Sequence, residues 1–516
     1  MGEPLVLTFD VGTQSARALL VDRYGAIADM CQEKYEKPYY SKNPGWAEQK
    51  PDFYYDCLCR TAKDLCARNG NRIGDVIAVT LTTIRDTALC LDENNVPLRD
   101  AIVWLDKRKA DFNDPYPAWK RALFEIIGMG DATKILYQAS PGNWIMQHEP
   151  DVWAKTAKFV MLPTYLNFKL TGVLADTPAN MIGHIPFDYK NRRWMKPGGL
   201  TRCFCDVPEE KLCRLIPSGS TVGKITKEFS ALTGVPEGLP LISTGSDKGC
   251  ETLGLSVTTP DKASISFGTT ATIQLAVKDY FEPQKFLPAY PAVISDMYNP
   301  EIEIYRGFWL LSWFVQEFGT AEAQEAERLG CAPEKILDER IKDIPAGSDG
   351  LLLQPYWTSG ILKPNSMGAV VGFSDFHTRY HLYRAIIEGI DLELFMALDI
   401  MERRSGLKIR ELYVSGGGAR SDVVCHITAD VFGLPVKRIQ THEACSIGSS
   451  MAGFVSMGVF RDYDEAAAGM VHVKDTFEPD MENHRVYMEI YKKAYCKIYG
   501  KLEPIYKRLI DIYKRR

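Results

Sequence analysis

Several common signals are missing from these 516 residues, and each absence closes off a class of function. There is no surplus of basic residues. The 61 Lys and Arg face 66 Asp and Glu, a formal net charge of −5, which argues against a nucleic-acid footprint or a membrane-binding surface. No apolar run approaches the ~20 residues that a bilayer-spanning helix needs. The N-terminus has no basic stretch followed by an apolar core, so a secretory leader is not expected and a cytoplasmic location is. The 13 cysteines are scattered. Cys57-x-Cys59 and Cys203-x-Cys205 are the close pairs, and neither has partners at zinc-site spacing. Reduced thiols are therefore expected. The 8 histidines are dispersed, with no HExxH helix. Low-complexity sequence is absent.

What is present is an ordinary globular composition, 46% hydrophobic and 25% charged, in a chain too long for one core. Two segments look like one device used twice. Leu5–Val21 and Ala263–Leu275 are each an apolar run, a Gly-Thr at a tight turn and a second alternating run. That is the pattern of a β-hairpin whose tip carries glycine and hydroxyls. Glycine lets backbone approach a ligand closely, and turned N–H groups make an anion pocket. Two facing tips would clamp a polyphosphate between two lobes. Asp10 ends the first strand two residues before Gly12, where a metal or its water could be met.

Along the chain, a third strand is predicted near Tyr24–Glu33, a helix over Phe53–Arg68 and a buried strand at Val76–Thr80 that delivers Thr82-Thr83-Ile84-Arg85-Asp86. Strands follow at Ala88–Leu91 and Ala101–Leu105, then helices near 116–127 and 151–170. Leu241-Ile242 leads into Ser243-Thr244-Gly245-Ser246-Asp247. A second lobe begins near Ser256, with helices at Phe308–Phe318 and Thr378–Glu402, a strand at Glu411–Val414 and a helix from Asp422. The expected division is an N-terminal domain over 1–255, a C-terminal domain over 256–480 and a helical tail over 481–516.

Ligands in α/β folds gather where strands end, and the chemistry-bearing residues sit there. Ser415-Gly416-Gly417-Gly418-Ala419-Arg420-Ser421-Asp422 lets a flat base or ribose lie against main chain before a helix N-terminus. It is neither a P-loop nor a G-x-G-x-x-G fingerprint. Asp247 reads either as a general base for a substrate hydroxyl or as part of a helix N-cap with Ser246. Arg85-Asp86 pairs a forked donor with an acceptor, suited to a diol, or is a surface ion pair. Trp104 either stacks on a carbon skeleton or belongs to the core.

Taken together, these segments resemble the FGGY family of carbohydrate kinases, which includes glycerol kinases and xylulokinases. The resemblance is collinear over nearly the whole chain: Asp10-Val11-Gly12-Thr13, Gly45-Trp46-Ala47-Glu48-Gln49, Thr83-Ile84-Arg85-Asp86-Thr87, Ala101-Ile102-Val103-Trp104, Leu170-Thr171-Gly172, Thr244-Gly245-Ser246-Asp247, Phe267-Gly268-Thr269-Thr270, Ala385-Ile386-Ile387-Glu388-Gly389 and Ser415–Ser421. It implies an α/β, two-lobed actin-like ATPase (ribonuclease H-like) fold with duplicated domains and an interlobe cleft. It implies ATP and Mg²⁺, with Asp247 as catalytic base and Asp10 near the metal. Thr13, Gln14, Ser15, Arg17, Gly268 and Thr269 would hold phosphates. Gly307, Gly417, Gly418, Ala419 and Asp422 would line the nucleotide site. Arg85, Asp86, Trp104, Asp247 and Lys248 would meet the acceptor. The implied partner is a small sugar or polyol, with no nucleic acid or membrane, and a homodimer is left open.

The chain also departs from the family pattern. Arg85-Asp86 looks like the Arg-Glu of glycerol kinases with a shorter acid, where xylulokinases have Met-His. Lys248 stands where glycerol kinases have glutamine. Near Pro141–Met146 the family's first signature is shortened. Trp313–Pro355 is similar to autoinducer-type kinases. A rival reading, a sugar or nucleotide sensor on the same fold, would have no need of a carboxylate at Asp247.

Overall fold

The computed structural model describes residues 2–360 and 363–514. Leu5–Val11 (β1) and Ser15–Asp22 (β2) are almost wholly buried, and the short Gly12-Thr13-Gln14 link allows only an antiparallel hairpin, with Asp10 opposite Arg17. Ile27–Lys34 (β3) pairs antiparallel outside β2. Helix Pro51–Arg68 (α1) then carries the chain over to Val76–Thr83 (β4), parallel to β1. Thr221–Lys224 (β5) and Pro240–Ile242 (β6) complete a six-stranded sheet in the order β5-β6-β4-β1-β2-β3.

The second half repeats the plan. Lys262–Phe267 (β7), Ala271–Leu275 (β8), Glu301–Ile304 (β9), Glu411–Ser415 (β10), Val436–Ile439 (β11) and Val473–Phe477 (β12) form a six-stranded sheet in the order β9-β8-β7-β10-β11-β12. From the hairpin edge inward, the pairings in both sheets run antiparallel, antiparallel, parallel, parallel, antiparallel. The last pair differs in chain order: β5 precedes β6, whereas β12 follows β11. The architecture is α/β with duplicated lobes.

Each lobe has its own core, and a third apolar cluster joins them, uniting Val6, Leu19 and Val21 of the first sheet with Leu253, Ile447, Met451 and Phe454. Two helices make this joint, and each is seated on the other lobe's sheet. Helix Asp247–Gly254 (α3) follows β6 but packs on the second sheet, where the Thr252 hydroxyl meets Ser264 at 3.0 Å. Helix Ala444–Ser456 (α6) follows β11 but lies on the first sheet, where the Ser449 hydroxyl donates to Thr80 at 3.1 Å. The helices cross at small residues: a Cβ on Gly254 would overlap the Ala444 carbonyl, and one on Gly448 the Cys250 carbonyl. Between β10 and α6 runs the nucleotide-type turn into helix Asp422–Phe432 (α5).

Two sequence expectations are corrected. The helix predicted over 151–170 is a short helix at Pro150–Lys155, a strand at Lys158–Met161 and a helix at Leu162–Thr171. Pro163 fits only a first turn, and the apolar Phe159-Val160-Met161 run ahead of it pairs with Ala88–Leu91. The strand predicted at Ala101–Leu105 stops at Ile102, because the Asp106 N–H turns back to the Val103 carbonyl at 2.8 Å.

Candidate active site

The strand ends of the two sheets and the N-terminus of α3 converge at the joint. At the first hairpin, the cross-strand register puts Arg17 beside Asp10, and the guanidinium bonds the carboxylate at 3.1 Å. Arg17 also reaches Glu443, at the foot of α6, at 3.6 Å. Burial pushes the Asp10 carboxyl up to about 6, against the pull of Arg17. Arg17 is thus committed to two carboxylates. At the tip, the Trp104 indole N–H donates to the Thr13 hydroxyl at 3.0 Å, so this Trp braces the hairpin. Gln14 is exposed, and Ser15 is buried against Gln32.

The second hairpin presents Gly268 and an exposed Thr269. The glycines around it do different jobs. Gly307 and Gly418 are packing glycines: a Cβ on Gly307 would strike Ala271, and one on Gly418 would lie 2.5 Å from the Phe308 ring. Gly416 has φ +84° and sits on the Phe267 backbone. Gly417 alone of the three faces open space, with nothing within 4 Å of where a Cβ would stand. Ala419 is buried, and Asp422 opens α5 with its carboxylate on Arg438 at 2.8 Å.

Ser246 is the N-cap of α3, its hydroxyl accepting from the Gly249 N–H at 3.3 Å. Asp247 is the first helical residue, half-buried, and its Oδ1 accepts from the Lys248 N–H at 2.8 Å, a second capping contact in the first turn. Its Oδ2 has no hydrogen-bond partner among the described residues, and the carboxylate sits in the favourable field of a helix N-terminus, so the capping and base readings both stand. Burial raises its pKa above the ordinary value, while Arg85 and Lys248 hold it down. The Lys248 ammonium bonds Glu251 at 2.8 Å and Ser266 at 2.6 Å. Glu251 in turn accepts from Ser266 at 3.0 Å and Ser415 at 2.5 Å. A polar network therefore runs from the helix carrying Asp247 to the ends of β7 and β10, beneath the second hairpin and the glycine turn.

At the end of β4, Arg85 does not stand free. Its guanidinium makes a forked pair with Glu301 of β9, at 2.6 and 2.8 Å, spanning the lobes over the Tyr290 ring. Glu303, two residues on and on the same strand face, lies 4.0 Å from Arg85. Partial desolvation and the neighbouring Glu301 push Glu303, itself still 34% exposed, up to about 7, while Arg85 holds the Glu301 pKa down. Asp86 has φ +51° and both its oxygens are engaged by His184: the backbone N–H at 3.1 Å and Nδ1 at 2.8 Å. Burial opposes both charges, but the pairing outweighs it, lowering the Asp86 pKa and raising that of His184.

Among the described residues, no group of three or more His, Cys, Asp or Glu could hold a metal ion. A lone buried Asp10 within electrostatic range of Asp247 fits Mg²⁺ of the kind that arrives with a nucleotide, held by one or two carboxylates, phosphates and water.

Sequence reasoning did not find Glu301, Glu303, Glu443 or His184. The signal for the first two was an acidic i, i+2 pair on one face of an otherwise apolar strand, Glu301-Ile302-Glu303-Ile304. For His184 the only local sign was the preceding Gly183, whose φ of +145° and missing Cβ make room for the Asp86 carboxylate.

The model of the FGGY family of carbohydrate kinases, N-terminal domain, matches residues 5–254, and that of the C-terminal domain matches residues 263–457. A xylulose kinase from Staphylococcus epidermidis is 26% identical over 522 residues, covering 99% of this chain and 100% of the relative. A glycerol kinase from Nitratidesulfovibrio vulgaris is 26% identical over 497 residues, covering 93% and 95%. The crystal structure of xylulose kinase from Rhodospirillum rubrum superposes with a TM-score of 0.82 at 23% identity, over 98% of this chain and all of that one.

Proposed function

The chain belongs to the FGGY family of carbohydrate kinases, and on that premise we propose that it transfers the γ-phosphoryl group of ATP to a hydroxyl of a small sugar or polyol. The observation that carries this reading is Asp247: a half-buried carboxylate with one oxygen unpaired among the described residues, on a helix placed where both lobes meet. Phosphoryl transfer asks for in-line positioning and charge neutralisation more than covalent chemistry. Asp247 takes the acceptor hydroxyl's proton as that oxygen bonds to phosphorus and the bond to the ADP oxygen breaks. Thr13, Gly268 and Thr269 at the two tips cradle the phosphates through backbone N–H and hydroxyl groups. Gly417 leaves room for the nucleoside. Asp10 would hold Mg²⁺ directly or through a bound water, and the ion, when bound, would screen the phosphate charge. Arg85 and Lys248, already paired, serve as oriented positive charge near the acceptor rather than as free donors.

The test is turnover with Mg-ATP against polyols, ketoses and aldoses, for the wild type and Asp247→Asn. At least one acceptor should be phosphorylated. The variant should lose ~10²–10⁴-fold in kcat with nucleotide affinity intact, the usual cost of a missing general base. A variant keeping more than about a tenth of the rate overturns the base assignment. Nucleotide binding with no acceptor turned over would favour a sensor on the same fold.

A further inference from the structure

Both oxygens of the acid after Arg85 are already engaged. Asp86 Oδ1 accepts from the His184 N–H at 3.1 Å, and Oδ2 is 2.8 Å from His184 Nδ1. The chain is built to hold this pair: Asp86 is in the left-handed region at φ +51°, and any side chain at Gly183 would collide with its carboxylate. The far nitrogen of the imidazole, Nε2, has no hydrogen-bond partner among the described residues. The His184 side chain is 28% exposed, and the Asp86 that holds it lies within electrostatic range of Arg85. The other groups around the pair are Arg85 on the same loop and the phenols Tyr189 and Tyr305, all within electrostatic range of Asp86. Tyr189 bonds the Gly183 carbonyl at 3.2 Å and packs edge-on to Tyr290, the ring beneath Arg85.

We propose that His184, anchored by Asp86, is a specificity-determining residue for the acceptor, offering Nε2 to one oxygen of an uncharged polyhydroxy chain. The inference rests on the kinase reading above. The imidazole supplies reach that the shorter Asp86 lacks, and it leaves the Asp86 charge balanced. Arg85, His184 and Lys248 at this end are each already paired with a carboxylate, Glu301, Asp86 and Glu251, which leaves no free cation among these three for a sugar acid and suits a ketose or polyol. The two suited classes differ chemically. A ketose carbonyl only accepts, and so needs Nε2 to carry a proton. A hydroxyl either donates or accepts. With Nδ1–H held by Asp86, the neutral imidazole leaves Nε2 as an acceptor, which a polyol tolerates and a carbonyl does not. Because Asp86 raises the His184 pKa, the protonated form persists to higher pH than in a free histidine and is lost as pH rises through that raised value.

The substitutions separate recognition from structure. In His184→Asn the amide nitrogen stands near the place of Nδ1 and keeps the Asp86 contact, but Nε2 is gone. In His184→Gln the amide nitrogen stands near the place of Nε2. Initial rates for a five-carbon ketose, a five-carbon polyol and glycerol, with calorimetric binding of each beside a non-hydrolysable ATP analogue, test the idea. For His184→Asn the KM and Kd of the acceptor should rise at least ~10-fold, the lower end for a charged hydrogen bond, with the KM of ATP unchanged. His184→Gln should recover most of the loss. The wild-type kcat/KM for a ketose should fall at high pH where that for a polyol does not, and the limb should vanish in His184→Gln. An active wild type with His184→Asn unaltered toward acceptor overturns the inference, as does a pH limb that survives in His184→Gln. If the wild type turns over another acceptor but none of the three, the inference falls and the kinase reading stands; if it turns over no acceptor of any class, both fall.

Discussion

At the residue scale, charges at this site are held where water would not leave them. Asp10 is the clearest case, buried and raised to about 6. The sign follows from linkage. A carboxyl whose pKa is higher in the folded than in the unfolded chain contributes stability below about pH 4, and that contribution is lost as pH rises through about 6. The two-unit separation corresponds to something on the order of 3 kcal/mol. Asp10→Asn removes the titration and leaves Arg17 paired with Glu443. The ligand-free variant should therefore melt higher than wild type at pH 8, with the difference closing near pH 4, and should be inactive with Mg-ATP. Thermal unfolding at the two pH values checks it. A variant that melts lower than wild type at pH 8 would mean that the Arg17 bond outweighs burial.

At the element scale, most of the frame was legible in the sequence. Both hairpins, α1, β4, Ala88–Leu91, the long helix Arg379–Ser405 (α4) and the entry to α5 stand within a few residues of where periodicity and caps put them. These signals are local: alternation, a proline at a first turn, a glycine after a last one. What periodicity does not carry is pairing across the chain. Arg85 meets Glu301 from 216 residues away and Asp86 meets His184 from 98, so Arg85-Asp86 read as one donor–acceptor unit when each residue has a separate partner. The exchange of α3 and α6 between sheets was invisible for the same reason. Glycine runs are also ambiguous until their surroundings are known. Gly417→Ala should leave folding untouched, since its Cβ meets open space, yet raise the KM of ATP if the nucleoside lies against it. Gly418→Ala places a Cβ 2.5 Å from the Phe308 ring and should cost about 1–3 kcal/mol as an overpacked site. Melting temperature and ATP KM measured on both variants separate the two roles. Equal destabilisation by both would remove Gly417 from the nucleotide site.

At the scale of the whole molecule, the exchanged helices turn two lobes into one device. Each phosphate hairpin belongs to a different sheet, and the helix carrying Asp247 is planted on the opposite lobe, so any movement between lobes shifts the base relative to the first hairpin. The close crossing at Gly254 and Gly448 resists sliding and leaves rotation as the easier motion. Arg17–Glu443 fixes the foot of α6 to the first hairpin, and the buried Arg85–Glu301 fork already ties the lobes at the site. Ligands that bridge both tips should therefore close the cleft by a rotation about the crossing, which would also exclude water as a competing nucleophile. Acceptor and nucleotide then favour the same state. Each should lower the other's apparent Kd by the same factor, typically ~5–150-fold, and ATP hydrolysis without acceptor should be slow. Small-angle scattering with a non-hydrolysable nucleotide and acceptor together should give a smaller radius of gyration than with either alone. An unchanged radius with independent binding of the two ligands would leave the helix exchange as architecture only, and the base would then have to be positioned by the acceptor itself.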